Sequence, residues 1–143
     1  MSANLPDPEP GLVINYSYLW RDEAMQGREE GTKDRPCAIV VAKETGEGGT
    51  RVYVVPITHT PPARPEDAIE IPAETKRRLG LDDARSWAVT NGLNSFTWPG
   101  YDLRSISGPG GTRRFSYGVL PHRLTADIFE RLRDAHARGV NRD

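Results

Sequence analysis

Short apolar runs separated by polar turns dominate this chain, and their spacing predicts a mainly β protein. Residues 12–20 alternate at a period of two, which predicts a first strand with aromatic side chains along one face. Nearly continuous apolar runs follow over residues 37–42 and 51–56, as expected of strands that are covered on both faces. The glycine-rich stretch between them, residues 44–50, predicts a hairpin loop.

The second half of the chain predicts helices among further short strands. A short helix is predicted over residues 72–81, with Gly80 as its left-handed C-terminal residue. A longer helix is predicted over residues 121–137, because its apolar side chains recur at helical spacing on one face. Strands are predicted over residues 68–72, 87–90 and 115–120.

This order of elements predicts an α+β chain that is mainly β with helices, built as a small β-barrel with a C-terminal helix. The polar, proline-rich residues 1–10 have almost nothing to bury and predict a disordered leader. We place a single barrel domain at residues 11–139 and a short tail at residues 140–143.

Charge narrows the possible partners. The chain of 143 residues has a formal net charge of −1, which argues against nucleic-acid binding through bulk electrostatics alone. The charge is unevenly distributed, because residues 113–143 carry seven arginines against four acidic residues. The uneven distribution therefore still allows a local basic surface.

Composition also bears on location and cofactors. No stretch reaches the ~20 apolar residues that a membrane helix needs, and the N-terminus shows no secretory signal. The single cysteine, Cys37, excludes an intrachain disulfide and fits a reducing compartment, so we expect a cytoplasmic protein without a membrane partner. Scattered histidines and one cysteine give no metal-ligand spacing, so we expect neither a metal nor another cofactor.

Arg35, Thr58 and His59 are the candidate catalytic residues, because they lie at the ends of two apolar strands. If the strands are neighbours, the three side chains share one mouth of the barrel. A guanidinium can hold a phosphate through two parallel hydrogen bonds, and an imidazole can transfer a proton at neutral pH. Singly, each residue also has a structural interpretation: a solvated arginine, a turn hydroxyl and a hydrogen-bonded histidine.

Two further loops carry candidate nucleic-acid-binding residues. The aromatic loop suits either a stacking platform for unpaired bases or an ordinary plug over the barrel end. The other loop, residues 21–34, is highly charged. The candidate binding residues are Arg28, Lys33, Trp98, Tyr101 and Arg104. The basic triplet at residues 76–78 is most simply the solvated face of the short helix.

Five short motifs follow one another along the chain. They are Lys-Asp-Arg-Pro-Cys at 33–37, Pro-Ile-Thr-His at 56–59, Leu-Gly-Leu at 79–81, Trp-Pro-Gly-x-Asp-Leu-Arg at 98–104 and Gly-x-Leu-Pro at 118–121. Their order and spacing resemble the PemK/MazF family, the toxin half of bacterial toxin–antitoxin pairs, and its PemK-like branch in particular. The resemblance covers roughly residues 11–135.

The resemblance implies an SH3-like barrel that forms a homodimer and cleaves single-stranded RNA without a metal ion, inhibiting translation and growth. The family's catalytic arginine falls on Arg35 and its hydroxyl residue on Thr58. The 2′-hydroxyl would attack the adjacent phosphate, leaving a cyclic phosphate and a 5′-hydroxyl, and a cognate antitoxin protein would block the groove. We add His59, where many relatives carry serine, as a participant in proton transfer, and residues 21–34 as a gate.

A departure from the family pattern defines the alternatives. Some relatives carry an acidic residue on a later strand, and the corresponding residues 90–94 contain none. A non-catalytic module that binds RNA or a protein on the same barrel is therefore the alternative prediction. A regulator that merely shares the barrel is a third.

Overall fold

The computed structural model describes residues 5–20 and 33–143. Over these residues the chain forms eleven strands and two α-helices, an α+β arrangement that is mainly β. The helices are α1 (Ala73–Leu79) and α2 (His122–Asp134). The strands are β1 (Leu12–Tyr16), β2 (Arg35–Glu44), β3 (Thr50–Thr58), β4 (Ala68–Glu70), β5 (Trp87–Val89), β6 (Gly92–Thr97), β7 (Leu103–Arg104), β8 (Ile106–Ser107), β9 (Arg113–Arg114), β10 (Ser116–Val119) and β11 (Arg138–Asn141).

The antiparallel strands β1, β2 and β3 form the centre of the main sheet. The first part of β1 pairs with β10 and its last two residues with β7. In the same way, the first part of β3 pairs with β6 and its end with β5. β4 extends the sheet beyond β5, β11 runs parallel to β6, and β8 and β9 form a separate pair.

The predicted class, α+β and mainly β, is confirmed. Within residues 5–20 and 33–143, no ladder joins the β4 and β11 edges to the β10 and β7 edges. Strand pairing among these residues therefore does not close the sheet into a barrel.

One irregularity interrupts the β2–β3 hairpin. On the side of the turn, Ala42 lies opposite Val52, whereas beyond the irregularity Cys37 lies opposite Pro56. The register shifts between Ile39 and Val41, so β2 contains one residue more than β3 across this part of the ladder.

Both faces of the central strands are buried, which explains their continuous apolar runs. Val13 belongs to a core cluster that includes Ile128 and Leu132 of α2. The next residue, Ile14, belongs to a second cluster that includes Phe96. Since successive side chains on a strand point to opposite faces, the two clusters lie on the two sides of the sheet.

The predicted helices are present with shorter bounds. α1 ends at Leu79 and is capped by Gly80, whose φ of 73° is left-handed, and Leu81 N donates to Lys76 O at 2.9 Å, as predicted for this C-terminus. α2 ends at Asp134, before the predicted residue 137, because the chain turns at His136, whose φ is 49°.

β1 is shorter than the predicted strand over residues 12–20, because the backbone beyond Tyr16 forms hydrogen bonds with a loop and a side chain and not with a neighbouring strand. Ser17 N donates to Asp102 O at 3.0 Å. The side-chain amide of Asn94 accepts from Leu19 N at 2.9 Å and donates to Leu19 O at 2.8 Å. A loop carbonyl and an amide side chain thus replace a neighbouring strand.

The C-terminal strand β11 was not predicted, and the predicted domain boundary at residue 139 falls inside it. Arg142 follows the strand, and its side chain is only 3% exposed, with Nη2 at 2.8 Å from Asp102 Oδ2. Its Nη1 donates to Ser17 O at 2.8 Å and to Asn94 Oδ1 at 2.9 Å. Residues in the predicted tail at 140–143 therefore connect β11 with the loop after β1.

Candidate functional site

Arg35, at the start of β2, and Thr58, at the end of β3, line a cleft of about 640 Å³. Lys33 and Trp20 also line it. An adjoining cleft of about 180 Å³ shares Arg35, Thr58 and Lys33 and adds His59. The structure thus brings the three candidate catalytic residues to one mouth, as the strand ends predict.

The hairpin register explains why Arg35 and Thr58 meet. Cys37 lies opposite Pro56, and continuing this register toward the strand ends places Arg35 level with Thr58. Residues opposite each other in an antiparallel pair project from the same face of the sheet. Two residues that are distant in sequence therefore line one surface.

Arg35 is held by an aromatic ring. Its guanidinium carbon lies 5.1 Å from the centre of the Trp20 ring, within the range of a cation–π contact. Its Nε is buried and has no hydrogen-bond acceptor within the part of the chain that the structure describes. Ring stacking uses the face of a guanidinium, so the ring does not occupy its N–H donors.

Thr58 also keeps a donor available. Its Oγ1 accepts a hydrogen bond from Thr60 N at 3.2 Å, in the turn that follows β3. A hydroxyl that accepts through a lone pair can still donate its own proton. A phosphate oxygen in the cleft is a suitable acceptor for it.

His59 is paired with Asp82, a carboxylate outside the predicted site. Its Nε2 lies 2.8 Å from Asp82 Oδ2 and 3.1 Å from Asp82 Oδ1. Both side chains are 57% exposed, so the pair lies at the rim of the cleft and not in the core. Asp82 also lines the smaller cleft, on the loop after α1.

Of the predicted solvated helix face at residues 76–78, Arg77 and Arg78 are exposed, but the prediction is wrong for Lys76, whose side chain is only 5% exposed. Its Nζ donates to Asp82 Oδ1 at 2.9 Å, to Ser86 Oγ at 2.7 Å and to Ala84 O. All three ammonium protons are thus used, which makes burial of the charge tolerable. The hydrogen bond from Lys76 holds the pKa of Asp82 below its ordinary value.

A signal for this burial exists in the sequence. Thr75, Lys76 and Leu79 share one face of α1 at helical spacing, and all three are buried. The position of the lysine beside Leu79 could have indicated a buried ammonium. The partners of this ammonium could not have been predicted from the sequence, since Asp82 and Ser86 lie in an irregular segment.

The remaining candidate binding residues are distributed differently. Lys33 lines both clefts, whereas Trp98, Tyr101 and Arg104 line neither. Trp98 N donates to Thr50 O at 2.8 Å, at the opposite end of β3 from the catalytic candidates. Arg28 lies outside the described residues.

The aromatic loop has one packed and one exposed ring. Trp98 stacks on Phe96 with 6.4 Å between ring centres and packs against the second core cluster, as an aromatic plug would. Tyr101 is 93% exposed. Arg104 Nη1 donates to Tyr101 O at 2.8 Å, and its Nε lies 3.7 Å from Asp34 Oδ1.

Cys37 does not supply a nucleophile to this cleft. Cys37 is buried, and burial raises the pKa of its thiol well above the ordinary value, so it is not a poised nucleophile. Over residues 5–20 and 33–143, His, Cys, Asp and Glu side chains form no group of three suited to a metal ion. No helix in these same ranges is long and apolar enough to cross a membrane.

Comparison with known proteins assigns the chain to no family. No protein-family model matches the chain, and no curated protein matches it. The chemistry of the cleft is therefore inferred from its own residues.

Proposed function

We propose that this protein is a metal-independent endoribonuclease that cleaves single-stranded RNA, on an SH3-like barrel of the PemK/MazF type. The observation that carries the proposal is the shared cleft of Arg35 and Thr58, which places a guanidinium and a hydroxyl on one surface. An arginine edge and a hydroxyl on one surface are a suitable pair of donors for a phosphate.

The reaction needs an oxyanion site and a proton acceptor. The 2′-hydroxyl oxygen attacks the adjacent phosphorus, and the bond from phosphorus to the 5′-oxygen breaks. Arg35 and Thr58 stabilise the charge that develops on the phosphoryl oxygens. His59 takes the 2′-hydroxyl proton, and the imidazolium or water returns a proton to the 5′-oxygen. The products are a 2′,3′-cyclic phosphate and a 5′-hydroxyl.

The size and charge of the cleft support a nucleotide as ligand. A volume of about 640 Å³ is in the ordinary range for a small-molecule site. Among the described residues that line the cleft, Lys33 and Arg35 supply two cations against one carboxylate, that of Asp67. Arg64 pairs with this carboxylate at 3.4 Å. Asn91 supplies an amide that can hydrogen-bond a base or a ribose. This local charge can bind RNA even though the chain as a whole carries a net charge of −1.

Cleavage of labelled single-stranded RNA in EDTA tests the proposal directly. We expect Arg35→Ala to slow cleavage by more than about 100-fold, as expected when a donor to a developing oxyanion is lost. Thr58→Val, which keeps the side-chain shape, should slow it by about 10- to 100-fold. Arg123→Ala is the matched control, because this exposed arginine on α2 lines neither cleft. If the wild-type protein leaves the RNA intact, the proposed endoribonuclease activity is wrong.

The non-catalytic module remains the second candidate. Asn91, within the stretch where some relatives carry an acidic residue, lines the larger cleft and cannot act as a base. Binding of the same RNA without cleavage, weakened by Arg35→Ala, supports this candidate. Binding without cleavage would leave His59 without a chemical role.

The toxin role and the partners belong to the same proposal. We infer a homodimer, a cognate antitoxin protein that occludes the groove, and growth inhibition through mRNA cleavage. Expression of the protein should arrest growth, and the product of a small neighbouring gene should relieve the arrest. Expression of Arg35→Ala at the same level should be harmless.

A further inference from the structure

The hydrogen bonds around His59 determine which of its ring nitrogens can act. Nε2 faces both oxygens of Asp82, at 2.8 Å and 3.1 Å. An ionised carboxylate only accepts hydrogen bonds, so the Nε2 atom must carry a proton. Nδ1 has no hydrogen-bond partner among the described residues, and in the neutral ring it keeps its lone pair.

The carboxylate is itself fixed. Asp82 Oδ1 accepts from Lys76 Nζ at 2.9 Å and from Ala84 N at 3.2 Å, in addition to the imidazole. Lys76 is held in turn by Ser86 Oγ and Ala84 O. The ammonium is therefore a buried anchor that points the exposed carboxylate toward His59.

We propose that Asp82, anchored by Lys76, is the positioning residue of this site, and that it directs Nδ1 of His59 toward the 2′-hydroxyl of the RNA. The inference rests on the proposed function. Asp82 accepts a hydrogen bond from the Nε2–H group, which keeps its proton, so the ring accepts the substrate proton at Nδ1. The carboxylate of the site thus comes from the loop after α1 and not from residues 90–94.

A merely structural role for the pair gives a different expectation. The exposed contact between His59 and Asp82 contributes about 0–1 kcal/mol to folding, so losing that contact should hardly change the amount of folded protein. Asp82→Asn also removes the counterion of buried Lys76, so the variants are compared at equal concentrations of folded protein. Loss of a group that orients a general base acts on the chemical step instead. General-base catalysis contributes about 100- to 10,000-fold, and a misoriented ring loses part of it.

The test compares Asp82→Asn, His59→Ala and the double variant in steady-state cleavage of one RNA substrate. We expect Asp82→Asn to lower kcat by about 10- to 100-fold with KM unchanged. The double variant should be no slower than His59→Ala, because Asp82 acts through the imidazole. Asp83→Asn is the matched control: the neighbouring exposed carboxylate does not line the smaller cleft and should leave kcat unchanged.

The outcomes separate this inference from the proposed function. If the wild-type protein and Asp82→Asn cleave equally fast while His59→Ala is slow, the positioning role is wrong and the endoribonuclease stands. Additive losses in the double variant also overturn it, since they assign Asp82 an effect independent of His59. If the wild-type protein does not cleave RNA, both proposals fail. Restoration of kcat by Asp82→Glu, but not by Asp82→Ala, supports the role of the carboxylate.

Discussion

Replacing Arg142 by alanine should destabilise the protein more than any other change of an arginine near the C-terminus. The Arg142 and Asp102 side chains are 3% and 11% exposed and lie 2.8 Å apart. Removing one member of a buried ion pair costs about 3–5 kcal/mol, because the remaining charge loses its counterion in a medium that solvates it poorly. The guanidinium also donates to Ser17 O and Asn94 Oδ1.

These contributions are not independent, so their sum is not the expected loss. We expect Arg142→Ala to lower the free energy of unfolding by about 4 kcal/mol, near the middle of the range for a broken buried pair. For a chain of this length, that corresponds to a fall in Tm of roughly 10 °C. Urea unfolding at pH 7, followed by tryptophan fluorescence, measures it.

Arg138→Ala is the control, because this arginine on β11 is exposed. It should change the free energy of unfolding by less than about 0.5 kcal/mol. A second comparison isolates the charge: Asp102→Asn combined with Arg142→Met should cost less than Arg142→Met alone. A loss below about 1 kcal/mol in Arg142→Ala would refute the reasoning, since it would show that the pair is effectively solvated.

Three further predictions concern the elements around the cleft. Because the folded-state pKa of Asp82 is lowered from 3.8, its ionised form stabilises the fold above that pH. The stability lost in Asp82→Asn at pH 7, in urea titrations, should therefore shrink as the pH falls below 3.8; a constant difference contradicts this. Gly80→Ala should cost about 1 kcal/mol in the same assay, since φ is 73° and a Cβ would meet only Arg114 Nη2, at an ordinary contact distance of 3.9 Å. Trp98→Ala should lower Tm, through lost packing on Phe96, but leave kcat unchanged; a selective loss of RNA affinity would restore the stacking interpretation.

The parts of the fold that could be predicted from the sequence are those determined by local pattern. Gly80 is a left-handed residue followed by an apolar one, and both the helix and its end lie where this pattern indicates. Arg35 and Thr58 lie at strand ends whose apolar runs join in one hairpin, so their common cleft also follows from local signals.

The parts that could not be predicted depend on partners far away in the chain. β11 contains only one β-branched residue, Val140, and exists because β6 offers it a parallel edge. Arg142 looks solvated in sequence, and its burial follows from Asp102 and Asn94. The Asp82–His59 pair requires the loop after α1 to lie beside the end of β3, which no periodicity in either segment indicates.

The extra residue in β2 has a consequence for how relatives of this protein can be recognised. Val40 belongs to the first core cluster and Val41 packs against the same cluster, so alternation between the faces is interrupted there. Were β2 paired without this interruption, the register of the turn would bring Pro36 opposite Thr58 and turn Arg35 to the other face. A shorter chain lacking Val40 would regain strict alternation and keep Arg35 opposite Thr58. Two proteins with the same cleft can thus differ by one residue inside a buried strand, where alignments rarely place a gap.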